Sequence, residues 1–238
     1  MRQLNPVNLG MVRHVATRLE HLREQVVFVG GTVVDFLITD EAAPPSRSSM
    51  DVDVIFEITS LADYHALRNP LIELGFVEDS IGEYGGIYSW KIDKIKVDIM
   101  PTNDEVLGFS NEWYIDAIET AQWVDIPDGP SIRCISAPCF LMTKLAAFIN
   151  RGNEDFMGSR DIEDVIAVID GRPEIINEIR NSQPRLIGSL AEIFQVLLEN
   201  EDFNEAIHGN ALGEFRYSTI KERIQMIASI DRFRMCRS

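Results

Sequence analysis

The run Asp51-Val52-Asp53-Val54-Ile55-Phe56-Glu57 constrains this chain more than any other segment. It alternates with period two, as a β-strand does, placing its acids on one side and Val52 and, imperfectly, Ile55 on the other. Asp40–Met50, just before it, is rich in Pro and Ser and reads as a loop. Strand and helix signals alternate around this run. Gln25–Val29 is a short β-branched strand ending in Gly30-Gly31, and a helix is expected over Thr32–Ile38. Leu61–Leu74 reads as a further helix. Gly85-Gly86 opens a strand over Ile87–Ile92, Asp93-Lys94 makes a tight turn, and Ile95–Met100 returns as the second arm of a β-hairpin. Trp123–Ile126 and Ser131–Ile135 flank a turn at Pro127–Pro130 as two more strands.

Beyond Pro138 the texture changes. Phe140–Asn150, Ser159–Asp170, Pro173–Asn181, Leu186–Glu199 and Ser218–Ile230 all carry apolar residues at helical spacing. The expected fold is therefore α+β: an α+β half over residues 1–135, followed by an all-helical region over 136–238. At the N-terminus, Val7, Met11, Val15, Leu19 and Leu22 suggest an amphipathic helix. Its arginines, Arg2, Arg13 and Arg18, come without the Ser richness or cleavage site of a transit peptide.

Charge and cysteines exclude several function classes. With 22 basic and 38 acidic residues the net charge is −16, which disfavours a broad grip on nucleic acid or an anionic membrane. Ala211–Ser238 runs the other way, its six basic residues (Arg216, Lys221, Arg223, Arg232, Arg234, Arg237) facing three acidic ones, and could anchor a polyanion locally. No apolar run approaches the roughly 20 residues of a membrane-spanning helix. Cys134, Cys139 and Cys236 suit neither a disulfide framework nor a zinc site, which makes a reducing cytoplasm the default. P-loop, Rossmann, nucleophile-elbow and zincin motifs are absent, and His14, His21, His65 and His208 are scattered.

What remains is a set of carboxylates and glycines. Gly30-Gly31 between a strand and a helix lets backbone amides approach a phosphate, although such a pair also serves as a plain turn. Asp51 and Asp53 leave one strand face a few ångströms apart, and their repulsion is relieved by a hard divalent ion or, alternatively, by solvent at a sheet edge. Asp98 interrupts the apolar strand Lys96–Met100, with Lys96 on its own face. Three carboxylates converging from adjacent strands suit a site for two metal ions about 3.5–4 Å apart that assists in-line phosphoryl displacement. In the second half, Lys144 and Arg151 lie two turns apart on one helix face, and Asp161 and Asp164 share a face of the next. These four fit an interhelical ion-pair network as well as a phosphate site.

The order GG…DxD…D resembles the nucleotidyltransferase superfamily, which shares its core with DNA polymerase β, and the resemblance implies a mixed β-sheet with flanking helices for the α+β half. Arg47-Ser48-Ser49-Met50-Asp51-Val52-Asp53 is similar to the R-x-[ST]-x-D-[IV]-D signature of its AbiEii/AbiGii toxin branch. Ala137-Pro138, Lys144-Leu145-Ala146-Ala147, Arg151 and Arg160-Asp161-Ile162-Glu163-Asp164 resemble that branch's P…K-x-x-A…R…[KR]-D-x-x-D run. The resemblance covers about Val27–Asp170, with Ser49 where Thr is an alternative. Gly30–Asp35 is also similar to the GGWALD-type opening of aminoglycoside and lincosamide nucleotidyltransferases, with Thr32 in place of the aromatic.

The resemblance implies transfer of an NMP from an NTP such as ATP, with Mg²⁺, to an acceptor hydroxyl. Asp51, Asp53 and Asp98 would be the metal ligands and catalytic carboxylates. Gly30, Gly31, Arg47, Ser49 and Lys144 would bind the nucleotide, supported by Arg151, Asp161 and Asp164. The acceptor implied is an RNA end, such as that of tRNA, or a protein, and the partner a cognate antitoxin. An antibiotic acceptor and a non-catalytic nucleotide-binding module are the alternatives.

Overall fold

The structure is a computed structural model that describes residues 2–58, 60–79, 89–103, 111–151 and 155–235, with the backbone alone at 61, 151 and 231–235. The Gly85-Gly86 strand opening and Cys236 lie outside the described residues. Two compact units emerge: residues 4–36 with 45–136, and residues 1–3 with 37–44 and 137–238. The loop at 40–50 is therefore divided, its first half belonging with the C-terminal helices.

The first unit is a mixed seven-stranded sheet with helices. Its strands are β1 (Val26–Val29), β2 (Asp51–Phe56), β3 (Val77–Glu78), β4 (Ser89–Ile92), β5 (Ile95–Met100), β6 (Gln122–Asp125) and β7 (Ser131–Cys134), in the spatial order β3-β4-β5-β2-β1-β7-β6. The α+β expectation holds. β1 lies between antiparallel β2 and parallel β7, and all four of its residues are buried, as a strand covered on both faces requires. β2 in turn pairs in parallel with β5, which forms the expected hairpin with β4. Asp93 at that turn has φ 53°, the left-handed geometry that two-residue hairpin turns favour and that Asp tolerates. Edge strand β3, too short to leave a periodic signal, is not foreseen by the sequence.

β2 explains the imperfect alternation of its sequence. Asp51 and Asp53 are half-buried, whereas Val52, Val54, Ile55 and Phe56 are all buried. Ile55 shares the acids' face, not that of Val52. The acids thus occupy the first half of the strand, and the apolar core closes over both faces only in the second half.

Helix α1 (Pro6–Arg18) starts at the cap Asn5, whose side chain accepts from the amides of Val7 and Asn8. Its buried stripe is Asn8, Val12, Val15 and Ala16, continued by Leu19, while Val7 is 51% exposed. Residues four apart drift about 40° around a helix at each step, so the stripe through Val7 and Met11 leaves the core face. After Gly30, one 3-10 turn (Gly31–Val33) leads into the single helical turn α2 (Val34–Leu37). Helices α3 (Leu61–Glu73) and α4 (Tyr114–Glu119) complete the unit.

The second unit holds α5 (Ala137–Arg151), α6 (Arg160–Gly171), α7 (Ile175–Arg180), α8 (Pro184–Leu198), α9 (Glu201–Asn210) and α10 (Glu214–Met235). α9 is not anticipated, because only Phe203, Ala206 and Ile207 of its polar sequence are buried. The 37–44 segment is anchored here: the amides of Thr39 and Asp40 both donate to Gly171 O, and Arg216 pairs with Asp40 and Asp170, at 2.9 Å each. Among the described residues, no helix is long and apolar enough to cross a membrane.

Candidate active site

Register brings the three acids together. In the β2–β5 pair, Asp53 lies opposite Asp98 and Asp51 opposite Lys96, so all four side chains leave one face of the sheet. One carboxylate oxygen from each of Asp51, Asp53 and Asp98 lies within 4.8 Å of the other two. Asp51 and Asp53 are half-buried; Asp98 is only 6% exposed, and its Oδ1 is buried with no hydrogen-bond partner. Ser89, its neighbour across the hairpin, is likewise buried with an unpartnered hydroxyl. Desolvated oxygens without partners are costly, and a hard cation or its water shell would satisfy them.

Lys96 supplies the local positive charge. Its Nζ is 2.7 Å from Asp98 Oδ2 and 3.8 Å from Asp51 Oδ2. Burial works against its ammonium. The hydrogen bond to Asp98 and the charges of Asp98, Asp51 and Asp53 outweigh this and hold its pKa above the usual lysine value.

Gly30 forms a wall of the cluster. Its φ is +71°, and a Cβ built there would stand 2.7 Å from Asp53 Cγ and overlap the carboxylate. Glycine at 30 is needed both for the turn and for the acid's place beside it. The helix expected after the pair is only one 3-10 turn and one α turn, too short to supply a helix macrodipole, so any phosphate affinity here must come from individual amides.

The loop entering β2 is held by three buried polar residues, none of them among the expected site residues. Asp35 accepts from the amides of Asn5 (2.7 Å) and Ser46 (2.9 Å). Asn5 Nδ2 donates to Ser46 O and Ser48 Oγ. Asn8, 1% exposed, uses both ends of its amide: Oδ1 accepts from Ser49 N at 2.8 Å, while Nδ2 donates to Ser46 Oγ at 3.0 Å and Arg47 O at 2.8 Å. Asn at helical positions otherwise facing the core was the available signal. Ser49 Oγ in turn points to Asp51 Oδ1 at 3.4 Å, and Arg47 is half-buried.

In the helical unit, Lys144 Nζ lies 3.0 Å from Asp161 and 2.7 Å from Asp164, with all three side chains largely buried. The residues therefore meet as a cation held by two carboxylates; the Arg151 side chain lies outside the described residues. Part of the basic C-terminal segment is also engaged internally. Arg216 pairs with Asp40 and Asp170, Arg223 donates to Ile169 O and Asp170 O, and Lys221 bonds Tyr217. Arg216 and Arg223 are thus committed to folding the unit, whereas Arg232, Arg234 and Arg237 lie where no side chain is described.

No family model matches the sequence, and no curated protein matches it. Among solved structures, the chain is similar to an antigenic nucleotidyltransferase-like protein from Paracoccidioides brasiliensis, with a TM-score of 0.47 and 17% identity over 87% of this chain and 94% of that one. It is also similar to the antibiotic-resistance factor ANT(2'')-Ia, with a TM-score of 0.40 and 14% identity over 67% of this chain and 81% of that one. Neither likeness assigns a family.

Proposed function

We propose that the chain is a metal-dependent nucleotidyltransferase that moves an NMP from an NTP to an acceptor hydroxyl. The convergence of Asp51, Asp53 and Asp98 beside Gly30, with Asp98 Oδ1 unpartnered, carries this reading. An all-carboxylate donor set suits Mg²⁺ or Mn²⁺, which Asp51, Asp53 and Asp98 would hold. When bound, two such ions supply charge neutralisation at the phosphates and acidify the acceptor hydroxyl.

The protein's own groups bind and orient. The amides at Gly30-Gly31 and the Ser49 hydroxyl would receive the β- and γ-phosphates, and Arg47 would balance charge on the departing pyrophosphate. Asp98, the most enclosed acid, would accept the proton of the acceptor hydroxyl as that oxygen attacks the α-phosphorus. The bond from the α-phosphorus to its bridging oxygen breaks, and pyrophosphate leaves with the electron pair. Lys144 remains a candidate triphosphate contact, with Asp161 and Asp164 as its orienting acids.

The Arg47–Asp53 signature favours an RNA end or a protein hydroxyl as acceptor, and a toxin controlled by an antitoxin. A second reading has support in the net charge of −16, which suits a small cationic acceptor. Incubation with NTPs labelled at the α-phosphate, Mg²⁺ and cell extract tests all of these. Label in RNA, protein or a small molecule identifies the acceptor class, and its loss in Asp53→Ala ties transfer to the cluster. No label anywhere would reduce the protein to a binding module. For the toxin role, expression should arrest growth and Asp53→Ala should relieve the arrest.

A further inference from the structure

Lys96 reaches into the carboxylate cluster. Its ammonium holds Asp98 Oδ2 and approaches Asp51 Oδ2, while Asp98 Oδ1 has no partner. The side chain is 30% exposed and its stem is flexible. Lys91, its cross-strand neighbour, is taken by Asp79 at 2.8 Å.

We propose that Lys96 is a tethered counter-ion of the cluster: it holds Asp51 and Asp98 together when no divalent cation is bound, competes with that cation for them, and yields when nucleotide phosphates draw it away. The inference rests on the metal-binding reading above. Three carboxylates this close repel one another, and one ammonium offsets only part of their charge. The same ammonium opposes an incoming dication: single and double positive charges about 5 Å apart repel enough, even at the dielectric of water, to weaken binding about tenfold. A lysine suits the exchange because its flexible stem carries a point charge that can pass from carboxylate to phosphate, whereas an arginine fork is geometrically committed. Cation affinity would then be coupled to nucleotide binding, and reciprocally nucleotide affinity to the cation.

The test is Mn²⁺ titration followed by electron paramagnetic resonance on the full chain, with and without a non-hydrolysable ATP analogue. Wild type, Lys96→Met and Lys96→Arg are compared, with Lys96→Gln replacing the Met variant if that fails to fold. Without nucleotide, Lys96→Met should bind Mn²⁺ about tenfold more tightly than wild type, melt at a lower temperature when metal-free, and gain less affinity from the analogue. Lys96→Arg, which keeps the charge, should stay near wild type in the nucleotide-free titration. Wild type that binds Mn²⁺ with no tightening in the uncharged variant would overturn the role of Lys96 alone. Absence of Mn²⁺ binding in every variant would overturn the metal-binding reading together with it.

Discussion

A side chain at position 30 and the carboxylate of Asp53 cannot both keep their places, because a Cβ on Gly30 would stand 2.7 Å from Asp53 Cγ. The turn after β1 and the acid on β2 are one unit, so Gly30 shapes the carboxylate cluster itself. Gly30→Ala should weaken Mn²⁺ binding and cut transfer by about 100-fold or more, since a misplaced catalytic group is costly out of proportion to its displacement. The positive φ adds about 1–2 kcal/mol of destabilisation, seen as a lower melting temperature.

Asp53→Asn should separate stability from function. It removes one of three mutually repelling charges at the cost of that charge's attraction to Lys96, so the metal-free protein should melt near the wild-type temperature, while Mn²⁺ binding and label transfer fall away. A large loss of metal-free stability would show that Asp53 serves the fold instead.

Asn8→Ala removes three hydrogen bonds to the loop ahead of Asp51 and leaves the amide of Ser49 without that acceptor. About 2–4 kcal/mol of stability should be lost, given about 1 kcal/mol per bond and the penalty for orphaned groups. Asn8 bonds Ser46, Arg47 and Ser49, the loop that would face the phosphates, so the nucleotide dissociation constant should rise severalfold while Mn²⁺ affinity stays near wild type. Calorimetric titrations of each ligand check the split.

Lys144→Met should destabilise the helical unit by about 3–5 kcal/mol by leaving Asp161 and Asp164 buried beside one another without their shared cation. Nucleotide affinity measured below the melting transition should change little if pairing is the main task of Lys144. A tenfold loss would assign it to the triphosphate.

Arg216→Ala should cost about 1–3 kcal/mol, allowing for the partial exposure of its pairs. The loss should depend on pH in a defined sense. Burial raises the pKa of Asp170 above that of an unfolded Asp, against the opposing hydrogen bond and charge of Arg216. The folded state therefore disfavours the ionised form, and stability falls as pH rises from the unfolded value through the folded one. Removing Arg216 raises the folded value further. The variant's deficit should be full near neutral pH and shrink as the solution is acidified and Asp170 protonates, which melting curves across that range would record.

The primary sequence determined the strands and most helices wherever periodicity was long or a turn residue was unambiguous: the Asp51 run and the Asp93-Lys94 hairpin. It also placed Asp51 and Asp53 on one face, because a strand's period is a property of local backbone geometry. Only the tertiary structure decided that Asp53 and Asp98 stand in register, that Gly30 abuts Asp53, and that Asp35, Asn5 and Asn8 hold the Ser46–Ser49 loop. It likewise decided that Lys96 spends its charge on the acids and Arg216 on Asp40 and Asp170. These relationships join residues distant along the chain or depend on which rotamer a charge adopts, and both follow from how the strands and helices pack.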